Sequence, residues 1–66
     1  MKFYVKELAS SVSNPAKEIK AKNLTEAKRI AARKFKGDIQ IGMSADSDMM
    51  IDDLLGERID GEWEMY

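Results

Sequence analysis

Hydrophobic residues between Asn23 and Gly37 recur every three or four positions, a spacing that predicts one amphipathic helix. The apolar residues that share one face of this helix are Leu24, Ala27, Ile30, Ala31 and Phe35. Asn23 is the expected N-cap with Glu26 as its capping-box partner, and Gly37 is expected to close the helix at the C′ position. The rest of the chain is short and alternating, so we expect the helix to lie across a sheet.

The first residues, Lys2 to Leu8, alternate in the manner of a strand with one buried face. Phe3 and Val5 are the expected core residues of this strand. The following stretch from Ala9 to Ala16 is small and polar and contains an Asn-Pro pair, which predicts a hairpin loop.

Two further segments also alternate. From Lys17 to Lys22, Ile19 and Ala21 alternate with charged residues, and the lysines suit a sheet edge because charge discourages edge-to-edge pairing. The strand predicted from Asp38 to Ser44 places three apolar residues on one face, namely Ile39, Ile41 and Met43.

The next segment is ambiguous. Ala45–Asp48 predicts a turn, and Asp48–Leu55 matches a short helical turn with Ser47 as N-cap and Gly56 as its stop. Two central aspartates are poor helix formers, which leaves a loop as the alternative.

The chain ends in a predicted hairpin. Asp60-Gly61 supplies the positive φ angles of a type I′ turn, and the last strand runs to Tyr66. Trp63 and Met65 are expected to face the core. Together these elements predict a single α+β domain over residues 1–66: a small antiparallel sheet of three to five strands with one helix on one face, in the order β-β-α-β-(short helix or loop)-β hairpin.

The size and composition exclude several classes of protein. A 66-residue domain buries only roughly 60% of the surface of its unfolded chain, so we expect marginal stability and a homodimer or a bound partner. The sequence contains no cysteine and no histidine, which excludes disulfides, the usual zinc ligand sets and the common nucleophilic sites. No apolar run is long enough to span a membrane and the charged N-terminus is not typical of a signal peptide, so we expect a cytoplasmic protein.

The charges are distributed unevenly along the chain. Residues 1–37 hold ten basic and three acidic residues, whereas residues 38–66 hold one basic and nine acidic residues. The two halves could lie against each other and neutralise, or they could separate into a basic face and an acidic face that each steer a charged partner.

We expect neither a metal site nor catalysis. Asp46, Asp48 and Glu57 imitate the ends of a calcium loop, but Met50 stands where an oxygen ligand is needed and Ile51 where glycine is needed. General acid-base chemistry needs a cleft that shifts a pKa, for which so small a sheet-and-helix unit has little room. No cofactor is expected.

The candidate binding residues are therefore charged surface residues. The basic set consists of residues on the outer helix face and on the adjoining strand, namely Lys28, Arg29, Arg33, Lys36, Lys20 and Lys22. Such a row could follow a phosphate backbone or dock on an acidic protein surface. The acidic alternative, which could imitate the charge of a nucleic acid, consists of Asp46, Asp48, Asp52 and Asp53.

The helix sequence Asn23–Ala31, after a lysine-rich strand and before a terminal Asp-Gly-Glu-Trp, resembles small phage-encoded strand-helix-strand proteins. Certain anti-CRISPR proteins, which bind bacterial surveillance complexes, are among them. The resemblance covers most of the chain in order of elements, but in residues only the helix start and the last turn. It implies a compact, non-enzymatic inhibitor, located in the cytoplasm of a bacterial host, whose basic residues or acidic edge occupy a nucleic-acid path on a host protein or ribonucleoprotein.

The acidic region 38–66 departs from this pattern, so either a basic or an acidic surface could bind the target. Two alternatives to an inhibitor remain. One is an accessory protein that binds nucleic acid directly through the basic helix face, and the other is a small assembly subunit.

Overall fold

The chain forms one helix and one five-stranded antiparallel sheet in a computed structural model, which describes residues 1–8, 15–46 and 50–66. The elements in chain order are β1 (Lys2–Glu7), β2 (Lys17–Lys20), α1 (Leu24–Lys34), β3 (Ile39–Gly42), β4 (Leu54–Ile59) and β5 (Glu62–Met65). The strands lie in the order β2-β1-β3-β4-β5. This confirms the α+β class. The sheet has five strands, the upper end of the predicted range of three to five.

The helix packs on one face of the sheet, which we call the helix face. Phe3 and Val5 of β1 are each 1% exposed, and Ile39 and Ile41 of β3 are fully buried beside them. The predicted helical stripe completes this core, with Ala27, Ala31 and Phe35 buried and with Leu24 and Ile30 packed against it. The alternation predicted for β1 and the stripe predicted for α1 are both confirmed.

Strand β2 lies at one edge of the sheet, as its lysines predicted; Ile19 within it and Ala21 just after it are buried. Because β2 and β3 are both antiparallel to β1, they are parallel to each other, and α1 connects them across β1. The loop predicted over Ala9–Ala16 falls largely on residues 9–14, outside the described residues; Ala16 is buried.

The helix begins as predicted and ends earlier. The Asn23 side chain accepts a hydrogen bond from the Glu26 amide at 2.9 Å, and the Glu26 carboxylate accepts one from the Lys22 amide at 3.1 Å. Gly37 is not the C′ residue, because α1 ends at Lys34 and Phe35 is the C-cap in an extended conformation. This conformation accompanies burial of the Phe35 ring in the core.

The helical turn predicted for Asp48–Leu55 is wrong over its described part. Ile51 forms an isolated bridge with Ala45, and β4 begins at Leu54, which pairs with Gly42. In a helix, the backbone amides of this segment would donate to carbonyls within the segment. Here the Asp52 amide instead donates a 3.0 Å hydrogen bond to the Ser44 carbonyl, just after the end of β3. Ser47, Asp48 and Met49 lie outside the described residues.

Two methionines of the predicted strands are exposed: Met43, which was predicted on the same strand face as Ile39 and Ile41, and Met65, which was predicted to face the core. Met43 is 41% exposed because β3 ends at Gly42, where the pairing with β4 shifts its register. Met65 is 37% exposed because it lies on the edge strand β5, over Gly56, rather than under the helix. Trp63 does pack against the core, as predicted.

The terminal hairpin has the predicted turn. Asp60 and Gly61 have φ angles of 53° and 81°, the positive values that a type I′ turn requires. The Asp60 amide donates a 3.0 Å hydrogen bond to the Asp38 carboxylate, which ties the turn to the start of β3. No helix among the described residues is long and apolar enough to cross a membrane.

Candidate functional site

The outer face of α1 carries the most accessible part of the predicted basic set. Arg29 and Arg33 are exposed and lie one helical turn apart, on the side away from buried Ala27 and Ala31. This pair of arginines is the centre of what we call the helix basic surface.

Two lysines flank this surface at the ends of the helix. Lys22 precedes the N-cap and Lys36 follows the C-cap, and both are exposed. The helix basic surface therefore consists of Lys22, Arg29, Arg33 and Lys36.

Lys28 contacts the protein itself. Its Nζ lies 5.4 Å from the centroid of the Trp63 ring, a cation-π distance, and the residue is half-buried. The structure thus places Lys28 between the helix basic surface and the terminal hairpin.

Lys20 lies apart from the helix. It pairs with Lys2 across β1 and β2, on the strand positions that alternate with buried Phe3 and Ile19. Its side chain is on the sheet surface opposite the helix, which we call the open face. The sequence pattern joined Lys20 to the helix set because it could not show that the sheet separates them.

The role of Arg58 was not predicted from the sequence: its side chain is buried on β4. Its Nη2 donates hydrogen bonds to the Phe35 carbonyl at 2.6 Å and to the Gly37 carbonyl at 3.1 Å. The guanidinium also lies 5.8 Å from the Trp63 ring centroid. Arg58 therefore satisfies two carbonyls of the segment that follows the helix.

Three of the four predicted acidic residues lie in the described part of the β3–β4 connection, and Asp48 does not. The Asp46 carboxylate accepts a hydrogen bond from the Met50 amide at 3.0 Å, and Asp53 accepts one from the Ser44 hydroxyl at 3.2 Å. The Asp52 side chain is exposed. These contacts give Asp46 and Asp53 a role in shaping the connection.

A second group of carboxylates lies on the open face of β4 and β5. Glu57 stands directly opposite Glu64, and Glu62 stands opposite Ile59. These three glutamates concentrate negative charge on the open face of β4 and β5. Like charges directly opposite each other on neighbouring strands are destabilising, so the Glu57–Glu64 pair lowers the stability of the hairpin. The alternation of the hairpin places them outward, but the sequence could not show which strands they would join.

Tyr66 contacts this acidic group. The Glu57 carboxylate, as acceptor of a hydrogen bond from the Tyr66 phenol, raises the pKa of Tyr66 from 10.0 to about 12, with smaller contributions from desolvation and from the charges of Glu57 and Glu64.

The strand order separates the two signs of charge. Strands β1 and β2, from the basic part of the sequence, form one side of the sheet, and β4 and β5, from the acidic part, form the other. Within residues 1–8, 15–46 and 50–66, the ion pairs are Lys2–Glu18 and Lys17–Glu7, each at 3.7 Å and each within the basic part. Among the same residues no group of three acidic side chains is arranged to hold a metal ion.

Comparison with protein-family models, with curated proteins and with solved structures finds no match to this chain.

Proposed function

We propose that this chain is a small, non-enzymatic inhibitor of a host nucleic-acid-handling defence complex, encoded by a phage or another mobile element and acting in the bacterial cytoplasm. The separation of charge across the sheet carries this proposal, because a molecule with one basic and one acidic side is steered and oriented by a charged target. The inhibitor works by occupying a charged path rather than by chemistry.

The helix basic surface is the side that we assign to the target. Arg29 and Arg33 are exposed on a helix whose other face is anchored in the core, so the scaffold holds them without conformational change. On the acidic side, by contrast, Asp46 and Asp53 bond within their own connection. A planar guanidinium also forms bidentate hydrogen bonds with carboxylates and phosphates, which suits an acidic protein surface or a bound guide RNA.

The test uses a panel of purified RNA-guided defence complexes and fluorescent target DNA. The expected result is that the chain reduces DNA binding by one complex in proportion to its concentration, and that added salt weakens the inhibition. If no complex in the panel is inhibited, or if inhibition does not weaken with salt, this proposal is overturned.

A second candidate is direct binding to nucleic acid. It is favoured by the spacing of Arg29 and Arg33, which are neighbours at i and i+4 on the helix and have Cβ atoms about 6 Å apart. At this spacing the two guanidinium groups can contact the phosphates of one strand together. The measurement is an electrophoretic shift of random-sequence duplex DNA, repeated at increasing salt. R29E/R33E should abolish the shift, whereas K2E/K20E, with the same change in net charge on the open face, should retain it. Equal shifts for both variants would exclude this candidate.

A further inference from the structure

The open face of the sheet carries an ordered arrangement of charge. Three residues occupy consecutive strand positions in one row: Lys6 on β1 is paired with Gln40 on β3, and Gln40 is paired with Glu57 on β4. The row thus runs from a cation through a neutral amide to an anion. All three residues are half-buried, and no element among the described residues covers them.

The neighbouring row has an apolar residue at each end. The Leu8 amide donates to the Asp38 carbonyl at 2.9 Å, which extends the β1–β3 pairing by one residue. The register of β3 with β4 places Ile59 on the other side of Asp38, and Ile59 is 39% exposed. Leu8 and Ile59 therefore lie on either side of β3, just as Lys6 and Glu57 do.

We propose that the open face is the contact surface between two copies of this chain, related by a twofold axis that runs parallel to the strands over β3. Such an axis places β1 of one copy over β4 of the other. Lys6 then faces Glu57 of the second copy and Leu8 faces Ile59 of the second copy. Gln40 and Asp38, which lie on the axis, each face their own equivalents. The interface is isologous, so each contact occurs twice.

The charge pattern selects this axis over the other twofold axis in the plane of the sheet. An axis perpendicular to the strands through the row of Lys6 and Glu57 would stack β1 on β1 and β4 on β4, which would bring lysine against lysine and glutamate against glutamate. In these two rows the proposed axis brings one like-charge pair together, the two copies of Asp38, and each of these carboxylates accepts a hydrogen bond from the Asp60 amide of its own chain. The proposed axis also brings a cation to Glu57, whose neighbours within its own chain include the neutral Tyr66 phenol and the like charge of Glu64.

The dimer should be weak. Five strands make a face about 24 Å wide, at a strand spacing of about 4.8 Å. The buried area is then at or below the about 800 Å² per partner of a standard interface, and much of it is charged. We expect a monomer-dimer equilibrium that depends on protein concentration and shifts toward monomer as salt increases.

Sedimentation velocity over a range of concentrations tests the proposal by charge exchange. K6E and E57K should each weaken the dimer by at least about tenfold, because each substitution makes two repulsive contacts across the twofold axis. The double variant K6E/E57K reverses both partners and should restore dimerisation. R29E, on the opposite side of the molecule, should leave it unchanged.

A second measurement locates the axis. The chain contains no cysteine, so Q40C introduces a single thiol at the position where the two copies meet. Facing sheets are about 10 Å apart, which is too far for a disulfide but within reach of a short bismaleimide linker. Q40C should cross-link to a dimer, and A32C, on the exposed side of the helix, should not.

A monomer at every concentration would overturn the proposal, as would failure of K6E/E57K to restore association or equal cross-linking of the two cysteine variants. The inference does not depend on the proposed function, because the helix basic surface and the open face are on opposite sides of the molecule. A monomeric chain could still inhibit a defence complex.

Discussion

Arg58 is the one basic residue between residues 38 and 66, and its position explains its presence in this acidic part of the chain. A buried guanidinium needs several acceptors, and the carbonyls of Phe35 and Gly37 supply two of them. The Trp63 ring covers the guanidinium and is covered in turn by Lys28. A single residue therefore ties β4 to the end of α1 and to β5.

Replacing Arg58 should destabilise the fold more than replacing any exposed arginine. Arg58→Met keeps much of the side-chain volume but leaves two carbonyls without their donor, at an expected cost of about 2–3 kcal/mol in the free energy of unfolding. Arg33→Met, on the exposed helix surface, should change it by less than about 0.5 kcal/mol. Urea denaturation of both variants measures the difference, and equal effects would show that these two hydrogen bonds of Arg58 do not stabilise the fold.

The Tyr66 phenol reports on the acidic edge. Its pKa of about 12 should fall toward 10.0 in Glu57→Ala, because the acceptor of its hydrogen bond and a neighbouring negative charge are both removed. Glu64→Gln should produce a smaller shift. The ultraviolet absorbance of tyrosinate follows the titration, and subtraction of the Tyr66→Phe spectrum isolates Tyr66.

The sign of the pH dependence follows from the direction of this shift. A pKa raised on folding stabilises the protonated folded state, so the contribution is complete below pH 10 and is lost as the pH rises toward about 12. An unchanged Tyr66 titration in Glu57→Ala would show that the two groups do not interact.

Residue-level prediction succeeded where one local pattern decides the outcome. Phe3 and Val5 could be assigned to the core because period-two alternation fixes the face of a strand. Arg58 could not be recognised, since a buried arginine and an exposed one look alike in sequence. Its burial depends on the end of the helix, 21 to 23 residues away in the chain.

At the level of elements, α1 begins where local chemistry places it. The Asn23 side chain satisfies the Glu26 amide, one of the four donors that a helix leaves free at its N-terminus. Asn23→Ala should therefore lower the free energy of unfolding by about 1 kcal/mol. Thr25→Ala, an exposed first-turn control, should have little effect in the same thermal unfolding experiment. A cap that contributes nothing would give equal melting temperatures for both variants.

The β3–β4 connection was the least predictable element, because the spacing of its apolar residues matches a helical stripe, whereas in the extended form that the chain adopts Met50 is 45% exposed. Gly42 shows why the extended form prevails. A Cβ at this position would overlap the Ile51 side chain and would lie 2.7 Å from the Asp53 carbonyl oxygen. Close approach of the connection to β3 therefore requires glycine.

Gly42→Ala should accordingly destabilise the protein by about 1–3 kcal/mol, a typical cost of overpacking. Part of the clash is with a side chain, so the cost should be smaller in an Ile51→Ala background. A double-mutant cycle measured by urea denaturation gives the coupling. Strictly additive effects would show that the Ile51 side chain does not lie over Gly42.

For the whole molecule, the strand order determines whether the basic and acidic parts of the sequence form separate surfaces. The sequence shows a basic part and an acidic part, but the same strands in another order would have interleaved the two signs. With β3 in the centre, β1 and β2 stay together on one side and β4 and β5 on the other. Long-range pairing of this kind is what the sequence pattern could not supply.

We propose that the helix basic surface, rather than net charge, engages the target. The most direct measurement compares R29E/R33E with K2E/K20E as inhibitors of DNA binding by the sensitive defence complex. Both variants change the net charge equally, so only the location of the change differs. The comparison is made at chain concentrations where sedimentation gives one oligomeric state for all proteins.

We expect R29E/R33E to lose inhibition at every salt concentration, and K2E/K20E to inhibit like the original chain with the same salt dependence. Equal loss in both variants would mean that overall charge alone is responsible. Full inhibition by R29E/R33E would contradict the assignment of the helix to the target.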